Sequence, residues 1–77
     1  MSKPVATIQK NKREAIHVLI DEFNGRQIFN VRVFYEAEDG SVRPGKAGIA
    51  FSITKLPEFA EAVQKALTEA QRQGLVP

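Results

Sequence analysis

The sequence contains no cysteine and no tryptophan, and its 77 residues include a single histidine. The absence of cysteine excludes a disulfide framework, a thiolate metal site and a cysteine nucleophile. An enzyme needs a nucleophile paired with a base, or a cluster of metal ligands, and one isolated histidine supplies neither. The composition therefore predicts a protein that is not an enzyme and that carries no cofactor or metal ion.

Long apolar runs are also lacking. No stretch of the sequence approaches the ~20 consecutive apolar residues that span a bilayer. The N-terminal residues MSKPVATIQKNKR contain scattered lysines and no apolar core of the kind found in a secretory signal. We therefore expect no membrane association and a cytoplasmic location, associated with the nucleoid. At 77 residues the chain forms one small domain, for which oligomerisation is a common source of added stability.

The charge of the protein is unevenly distributed, although the net charge is only +2. Residues 1–12 are polar and basic, and we expect a flexible arm there, followed by a folded domain over residues 13–77. A short apolar alternation around Val5 and Ile8 leaves open an additional edge strand within the arm. A basic surface suits an anionic partner, although ordinary solvated charge gives the same pattern.

Two β-hairpins are predicted in the first two thirds of the chain. Period-2 alternation marks strands at residues 15–23 and 26–36, joined by Asn24-Gly25, a dipeptide typical of a type I′ turn. A second turn at Glu38-Asp39-Gly40 leads to Pro44-Gly45, which favours a type II turn. A last strand is predicted over residues 47–53.

The remaining residues have the periodicity of one amphipathic helix. Thr54 is the expected N-cap, Pro57 is tolerated in the first turn, and Gly74 is a natural stop. The apolar residues recur at spacings of three and four and form one stripe, which we expect to be buried on the sheet: Leu56, Phe59, Val63, Leu67 and Ala70. We expect Phe29, Phe51, Phe59 and Leu67 to form the core.

The strand over residues 26–36 is partly apolar on both faces. Phe29, Val31, Val33 and Tyr35 share one parity, whereas Ile28, Asn30, Arg32 and Phe34 share the other. A sheet with one solvated face should alternate cleanly between apolar and polar residues, and this strand does not. An exposed apolar surface that also carries cations indicates a binding surface or an oligomer interface.

Four segments together resemble the PC4-like transcriptional coactivators (p15) and their bacterial single-stranded DNA-binding relatives. They are Phe23-Asn24-Gly25-Arg26, the strand Ile28 to Tyr35, the turn Glu38-Asp39-Gly40, and the run Arg43-Pro44-Gly45-Lys46-Ala47-Gly48-Ile49. The resemblance covers about residues 16 to 70. It implies an α+β fold with a curved, four-stranded antiparallel sheet followed by one C-terminal helix. It also implies a homodimer that binds single-stranded DNA in transcription regulation or DNA repair.

The resemblance also implies which residues contact DNA. Phe23 and Tyr35 occupy the positions of the base-stacking aromatics, and Arg26, Arg32, Arg43 and Lys46 lie at or beside the cations that contact the backbone. The sequence departs from better-known members in three places. Tyr35 replaces a tryptophan, Ala47 stands where a basic residue is usual, and Asp21 occupies a position that is basic elsewhere.

The chemistry of these residues is consistent with the resemblance but leaves alternatives open. Sequence-tolerant binding of single strands needs cations along the phosphates and flat rings on which bases stack. The same surface would suit RNA, or an acidic segment of a protein partner. Arg32 contacts the ligand or forms an ion pair with Asp21 or Glu22. Strict alternation puts Arg32 and Tyr35 on opposite faces, so a shared ligand requires a bulge near Phe34.

Overall fold

The structure, a computed structural model, describes residues 4–77, which form four antiparallel strands followed by a 3₁₀ turn and one α-helix. The elements are β1 (Ala6–Gln9), β2 (Glu14–Phe23), β3 (Arg26–Glu36), β4 (Val42–Ser52), the 3₁₀ turn Ile53–Lys55 and α1 (Leu56–Arg72). The strands lie in the sheet in chain order, so the sheet is a meander. This confirms the predicted α+β fold with a four-stranded antiparallel sheet and a C-terminal helix.

β1 lies in the segment predicted to be an arm. It pairs antiparallel with β2, from Ala6 opposite Val18 to Gln9 opposite Ala15. Asn11 organises the connection, because its Oδ1 accepts hydrogen bonds from the backbone N–H groups of Arg13 (3.0 Å) and Glu14 (2.9 Å). Such side-chain bonds to following amides are typical of asparagine in turns. The edge strand that was left open at this position is thus present, and residues 1–3 of the arm lie outside the described residues.

The β2–β3 hairpin forms as predicted. Asn24 and Gly25 have φ angles of 52° and 77°, which a type I′ turn requires at both central positions. The pairing of β2 with β3 then runs without a break from Phe23 opposite Arg26 to Glu14 opposite Tyr35.

The predicted type II turn at Pro44-Gly45 is wrong. Both residues lie inside β4, and Gly45 is not among the positive-φ glycines of residues 4–77. Arg32 pairs with Gly48 and Phe34 pairs with Pro44, so residues 45–47, called the bulge from here on, face Val33 alone. A Cβ on Gly45 would lie 2.8 Å from the carbonyl oxygen of Val33. This glycine therefore permits a close approach of two strands, and the chain does not reverse there.

The register assigns side chains to two faces, because residues directly opposite each other project to the same side of a sheet. The helix face carries Ile16, Val18, Ile20, Phe29, Val31, Tyr35, Arg43, Ile49 and Phe51; the open face carries His17, Leu19, Phe23, Arg26, Asn30, Arg32, Phe34 and Ala50. The ring of Phe59 in α1 lies 5.8 Å from that of Phe29 and 5.2 Å from that of Phe51, measured between centroids. This aromatic cluster, with Phe29 buried, confirms three of the four predicted core residues.

The helix covers the sheet less completely than its pattern predicts. Phe59 attaches the first turn of α1 to the sheet, but within Leu56–Arg72 no side chain is buried. Val63 and Leu67 are 51% and 43% exposed, so the assignment of Leu67 to the core is wrong. Ile49 on the helix face is also exposed. Apolar surface thus remains open both on the helix and on the sheet beneath it.

The two ends of the helical segment differ in how well the sequence predicted them. The expected N-cap, Thr54, lies in the 3₁₀ turn, where its N–H donates to the hydroxyl of Ser52 at 3.4 Å, and α1 begins at Leu56. At the other end Gly74 has a φ of 75° and the N–H of Leu75 donates to Ala70 at 2.9 Å, as in a glycine-terminated helix. Among residues 4–77 no helix is long and apolar enough to cross a membrane.

Candidate nucleic-acid interface

Phe23 and Arg26 form the first part of the predicted site. They are directly paired across the end of the β2–β3 hairpin, on the open face, and are called the hairpin pair. The ring of Phe23 is 68% exposed. Beside it lies a groove of about 610 Å³ whose lining includes Asp21 and Asn30. The hairpin therefore presents an exposed ring next to a guanidinium.

Tyr35 and Arg43 form a second arrangement of the same kind. They are directly paired between β3 and β4, on the helix face but at the end of the sheet remote from Phe29, and are called the turn pair. Tyr35 is 39% exposed. A groove of about 500 Å³ adjoins both residues, and its lining includes Asp39. An aromatic ring paired with an arginine of a neighbouring strand thus lies at each end of β3.

Arg32 lies between the two pairs, on the open face of β3. Its Nη1 donates to the carbonyl oxygen of Gly45 at 3.2 Å and to that of Lys46 at 3.5 Å. Among residues 4–77 the ion pairs do not include one between Arg32 and Asp21 or Glu22, so the predicted ion-pair alternative is wrong. The guanidinium instead binds the backbone of β4.

Lys46 belongs to the bulge, and its side chain is exposed. A bulge near Phe34 is the predicted condition for Arg32 and Tyr35 to share a surface. An irregularity does occur beside Phe34, but its extra residues belong to β4, and β3 continues to pair regularly with β2. Arg32 and Tyr35 therefore remain on opposite faces of the sheet by register.

The predicted residues therefore form two pairs and a connecting segment rather than one cluster. Tyr35 lies nine residue steps beyond Arg26 along β3, which at ~3.3 Å per step corresponds to roughly 30 Å. Lys46 lies between the pairs, on the strand next to β3. A ligand that contacts both pairs must be long and must pass from one face of the twisted sheet to the other.

The open face also carries an aromatic stack that was not predicted from the sequence. The rings of His17 and Phe34 are parallel to within 14°, with their centroids 4.1 Å apart. His17 pairs directly with Arg32, so Phe34 is its diagonal neighbour on the same face. The Asn24-Gly25 turn fixes this register, and counting back from it would have identified the two rings as diagonal neighbours on one face.

Two carboxylates near the site are held in their charged form by local hydrogen bonds. Hydrogen bonds from the hydroxyl and the N–H of Ser41, and a smaller contribution from Arg43, lower the pKa of Asp39. A hydrogen bond from the side chain of Asn11, with the charge of Lys10, lowers the pKa of Glu14. Within residues 4–77 there is no group of three or more side chains suited to hold a metal ion.

This fold and this distribution of rings and arginines define a small α+β protein with an open sheet that exposes aromatic and cationic side chains. The chain belongs to the Transcriptional Coactivator p15 (PC4) family, whose model matches residues 10–62. This confirms the family predicted from the sequence. The family consists of coactivators and DNA-binding proteins rather than enzymes, in agreement with the sequence analysis.

A similar sequence is the RNA polymerase II transcriptional coactivator of Drosophila melanogaster, which is 43% identical over 53 residues. The match covers 65% of this chain and 47% of that protein. The chain thus spans about half the length of this curated relative.

Solved structures of similar fold come from several sources. A PC4 homologue from Burkholderia pseudomallei, BPSL1147, superposes with a TM-score of 0.76 at 25% identity, covering 84% of this chain and 88% of that one. A MoSub1–DNA complex gives a TM-score of 0.66 at 25% identity, with coverage of 94% and 88%. The bacteriophage T5 homologue of PC4 has a TM-score of 0.62 at 19% identity, with coverage of 97% and 82%, and shows similarity of fold alone.

Proposed function

We propose that this protein binds single-stranded DNA without strong sequence preference and acts as a homodimer in transcription regulation or DNA repair. Membership of the PC4 family supports a role in transcription. The similarity to MoSub1, whose structure is a complex with DNA, supports DNA as the ligand. The chain spans about half the length of its Drosophila relative. A coactivator activity like that of the whole Drosophila protein is therefore part of what we propose for this chain.

The observation that carries the proposal is the repeated pairing of an exposed aromatic ring with an arginine. Phe23 pairs with Arg26 and Tyr35 pairs with Arg43. One groove is lined by Phe23, and another is lined by both Tyr35 and Arg43. A ring offers a stacking surface to any base, while a neighbouring guanidinium binds the phosphate. Stacking contributes roughly 1–3 kcal/mol per base and does not require a particular sequence.

The same arrangement favours unpaired strands over duplex DNA. In a duplex the base faces are stacked on each other, so Phe23 and Tyr35 would find no base face and only the electrostatic contribution would remain. Arg26, Arg43 and Lys46 are exposed cations along β3 and β4. With a contribution of ~0.7 per phosphate for single strands, three such contacts give a slope of log affinity against log salt of about −2 per subunit.

A homodimer would cover the apolar residues that the single chain leaves exposed and would double the surface available to the ligand. Val63 and Leu67 of α1 are exposed, and so are Ile20 and Ile49 on the helix face of the sheet. Burying these two apolar surfaces against a second copy removes them from water without any further partner. A dimer also offers two hairpin pairs and two turn pairs to one strand.

Titration of a fluorescently labelled oligo-dT by fluorescence polarisation tests the proposal. We expect tight binding at low salt, a salt slope of about −2 per subunit or steeper, and much weaker binding of a duplex of equal length. A parallel titration with oligo-rU tests RNA as the ligand. Equal affinity for duplex and single strands would exclude the stacking mechanism. Absence of binding to every nucleic acid would leave a protein partner as the function of this surface.

A further inference from the structure

The guanidinium of Arg32 is bound to the backbone of the bulge. Its Nη1 donates to the carbonyl oxygens of Gly45 and Lys46, at 3.2 and 3.5 Å, and the side chain is half-buried between β3 and β4. These carbonyls belong to residues 45–47, which face Val33 alone. In a β-bulge the surplus residue lacks a regular ladder partner. Arg32 therefore supplies hydrogen bonds that the ladder does not.

The space around this guanidinium is shaped by Gly48. A Cβ on Gly48 would lie 3.1 Å from Cζ of Arg32 and 2.7 Å from the carbonyl oxygen of Val31. The guanidinium thus lies against the bare backbone of its cross-strand neighbour. A planar group with several N–H donors can lie in such a slot and reach two carbonyls, whereas a lysine ammonium is a compact point charge on a flexible stem.

Lys46 is joined to Arg32 through its backbone carbonyl. It lies in the bulge and its side chain is exposed, while its carbonyl oxygen accepts from Arg32. We propose that Arg32 is a positioning residue, which fixes the bulge so that Lys46 is presented to the phosphate backbone, and does not itself contact phosphate. This inference rests on the proposed binding of single-stranded DNA.

A double-mutant cycle between Arg32 and Lys46 tests the inference. Affinities of wild type, Arg32→Gln, Lys46→Gln and the double variant for oligo-dT are measured at several salt concentrations. Lys46→Gln should reduce the magnitude of the salt slope by ~0.7 and weaken binding at 0.1 M salt about fivefold, the value of one phosphate contact. Arg32→Gln should weaken binding to a similar extent, and the double variant should bind no more weakly than Lys46→Gln alone.

Arg26 provides the matched control, since it lies on the same face of β3 and is exposed. Arg26→Gln should add its full effect to that of Lys46→Gln, because the two cations act on separate phosphates. If Arg32→Gln is equally additive and removes a further ~0.7 from the slope in the Lys46→Gln background, Arg32 contacts phosphate directly and the inference is wrong.

The conservative variant Arg32→Lys gives a second test of whether Arg32 positions the bulge or contacts phosphate. Lysine binds phosphate well as a point charge but cannot reproduce the planar guanidinium that lies against the bare backbone of Gly48. Arg32→Lys should therefore bind oligo-dT as weakly as Arg32→Gln does. Recovery of wild-type affinity by Arg32→Lys would overturn the positioning role.

An NMR measurement on the free protein tests the positioning role of Arg32 independently of DNA binding. Backbone ¹⁵N relaxation of the free protein should show increased motion of residues 45–47 in Arg32→Gln, with β2 and the hairpin at Asn24-Gly25 unchanged. A bulge that stays as rigid as in the wild type contradicts the inference, whether or not DNA binds. Failure of the wild type to bind oligo-dT, with a bulge that loosens as expected, would refute the proposed function alone.

Discussion

Arg43 and Asp39 form an ion pair across the turn between β3 and β4, with Nη2 of Arg43 3.2 Å from Oδ2 of Asp39. The other carboxylate oxygen of Asp39 accepts from the N–H and the hydroxyl of Ser41, at 2.9 and 2.6 Å. The hydroxyl of Ser41 in turn accepts from Nε of Arg43 at 3.1 Å. A phosphate that approaches the turn pair therefore meets a guanidinium already partly neutralised by a carboxylate.

Replacement of Asp39 should strengthen DNA binding. Asp39→Asn removes the charge that competes with phosphate for Arg43, so we expect the affinity for oligo-dT to rise, by about fivefold at most in 0.1 M salt. The thermal unfolding midpoint should change little, because exposed ion pairs contribute little to stability. Fluorescence polarisation and circular dichroism measure the two quantities.

Glu38→Gln is the control for this prediction, since it removes one negative charge from the same loop. Glu38 is exposed and takes no part in the ion pair of Arg43. An equal gain in both variants would mean that the general field of the loop, rather than the pairing of Asp39 with Arg43, limits affinity.

Loss of a stacking ring should weaken binding without changing its salt dependence. Tyr35→Ala should cost roughly 1–3 kcal/mol of binding free energy, whereas Tyr35→Phe should retain most of it, because stacking uses the ring face and not the hydroxyl. Phe23→Leu, which keeps apolar volume but removes the ring, should behave like Tyr35→Ala. A reduced salt slope in either ring variant would contradict this assignment.

Much of the sheet could be predicted because one turn sets its register. Asn24-Gly25 has a strong preference for a type I′ turn, and that turn determines every pairing of β2 with β3. The position of Phe23 beside Arg26 follows directly. The same counting places His17 diagonal to Phe34, so the proximity of these two rings was predictable from the sequence as well.

Three of the errors have a common physical cause: a local sequence pattern does not show which distant segment a residue contacts. Pro44-Gly45 has a local preference for a turn, but pairing with β3 overrides it and uses Gly45 for a close approach to Val33. Arg32 binds backbone carbonyls, which a search for acidic side chains does not reveal. The apolar stripe that includes Leu67 indicates that some surface must cover it, but not which one.

The two kinds of glycine in the chain should respond differently to substitution. A Cβ on Gly48 would meet the backbone of Val31 at 2.7 Å, which cannot move without disturbing β3. Gly48→Ala should therefore destabilise the fold by roughly 1–3 kcal/mol or more. Gly25 faces open space and has a φ of 77°, so Gly25→Ala should cost only about 1 kcal/mol, from backbone strain. Urea unfolding measures both, and equal losses would contradict this distinction.

Acid should destabilise the fold through carboxylates that are hydrogen-bonded in the native state. The pKa values of Glu14, Asp39 and Glu69 are all lowered, by Asn11, Ser41 and Arg72 as their main partners. A carboxyl with a lowered native pKa binds protons more weakly in the folded state, so it stabilises the fold above its ordinary pKa. That contribution is lost as the pH falls through the lowered native value.

The urea concentration at the midpoint of unfolding should therefore decrease as the pH is lowered from 6 to 3. In Asn11→Ala, which removes the main cause of the lowered pKa of Glu14, the decrease should be smaller. An unchanged pH dependence in Asn11→Ala would mean that Glu14 does not contribute to the acid sensitivity.

The exposed stripe of α1 should hold the proposed homodimer together. Val63→Asp and Leu67→Asp each place a charge in this stripe, and a charge buried without a partner is strongly unfavourable. Since both side chains are about half exposed in the isolated chain, the monomer should keep its helix by circular dichroism. The mass measured by light scattering should fall to that of one subunit. Thr68→Asp, on the exposed polar side of the same helix, should remain dimeric. Retention of the dimer mass in Leu67→Asp would show that this stripe faces solvent and that another surface joins the subunits.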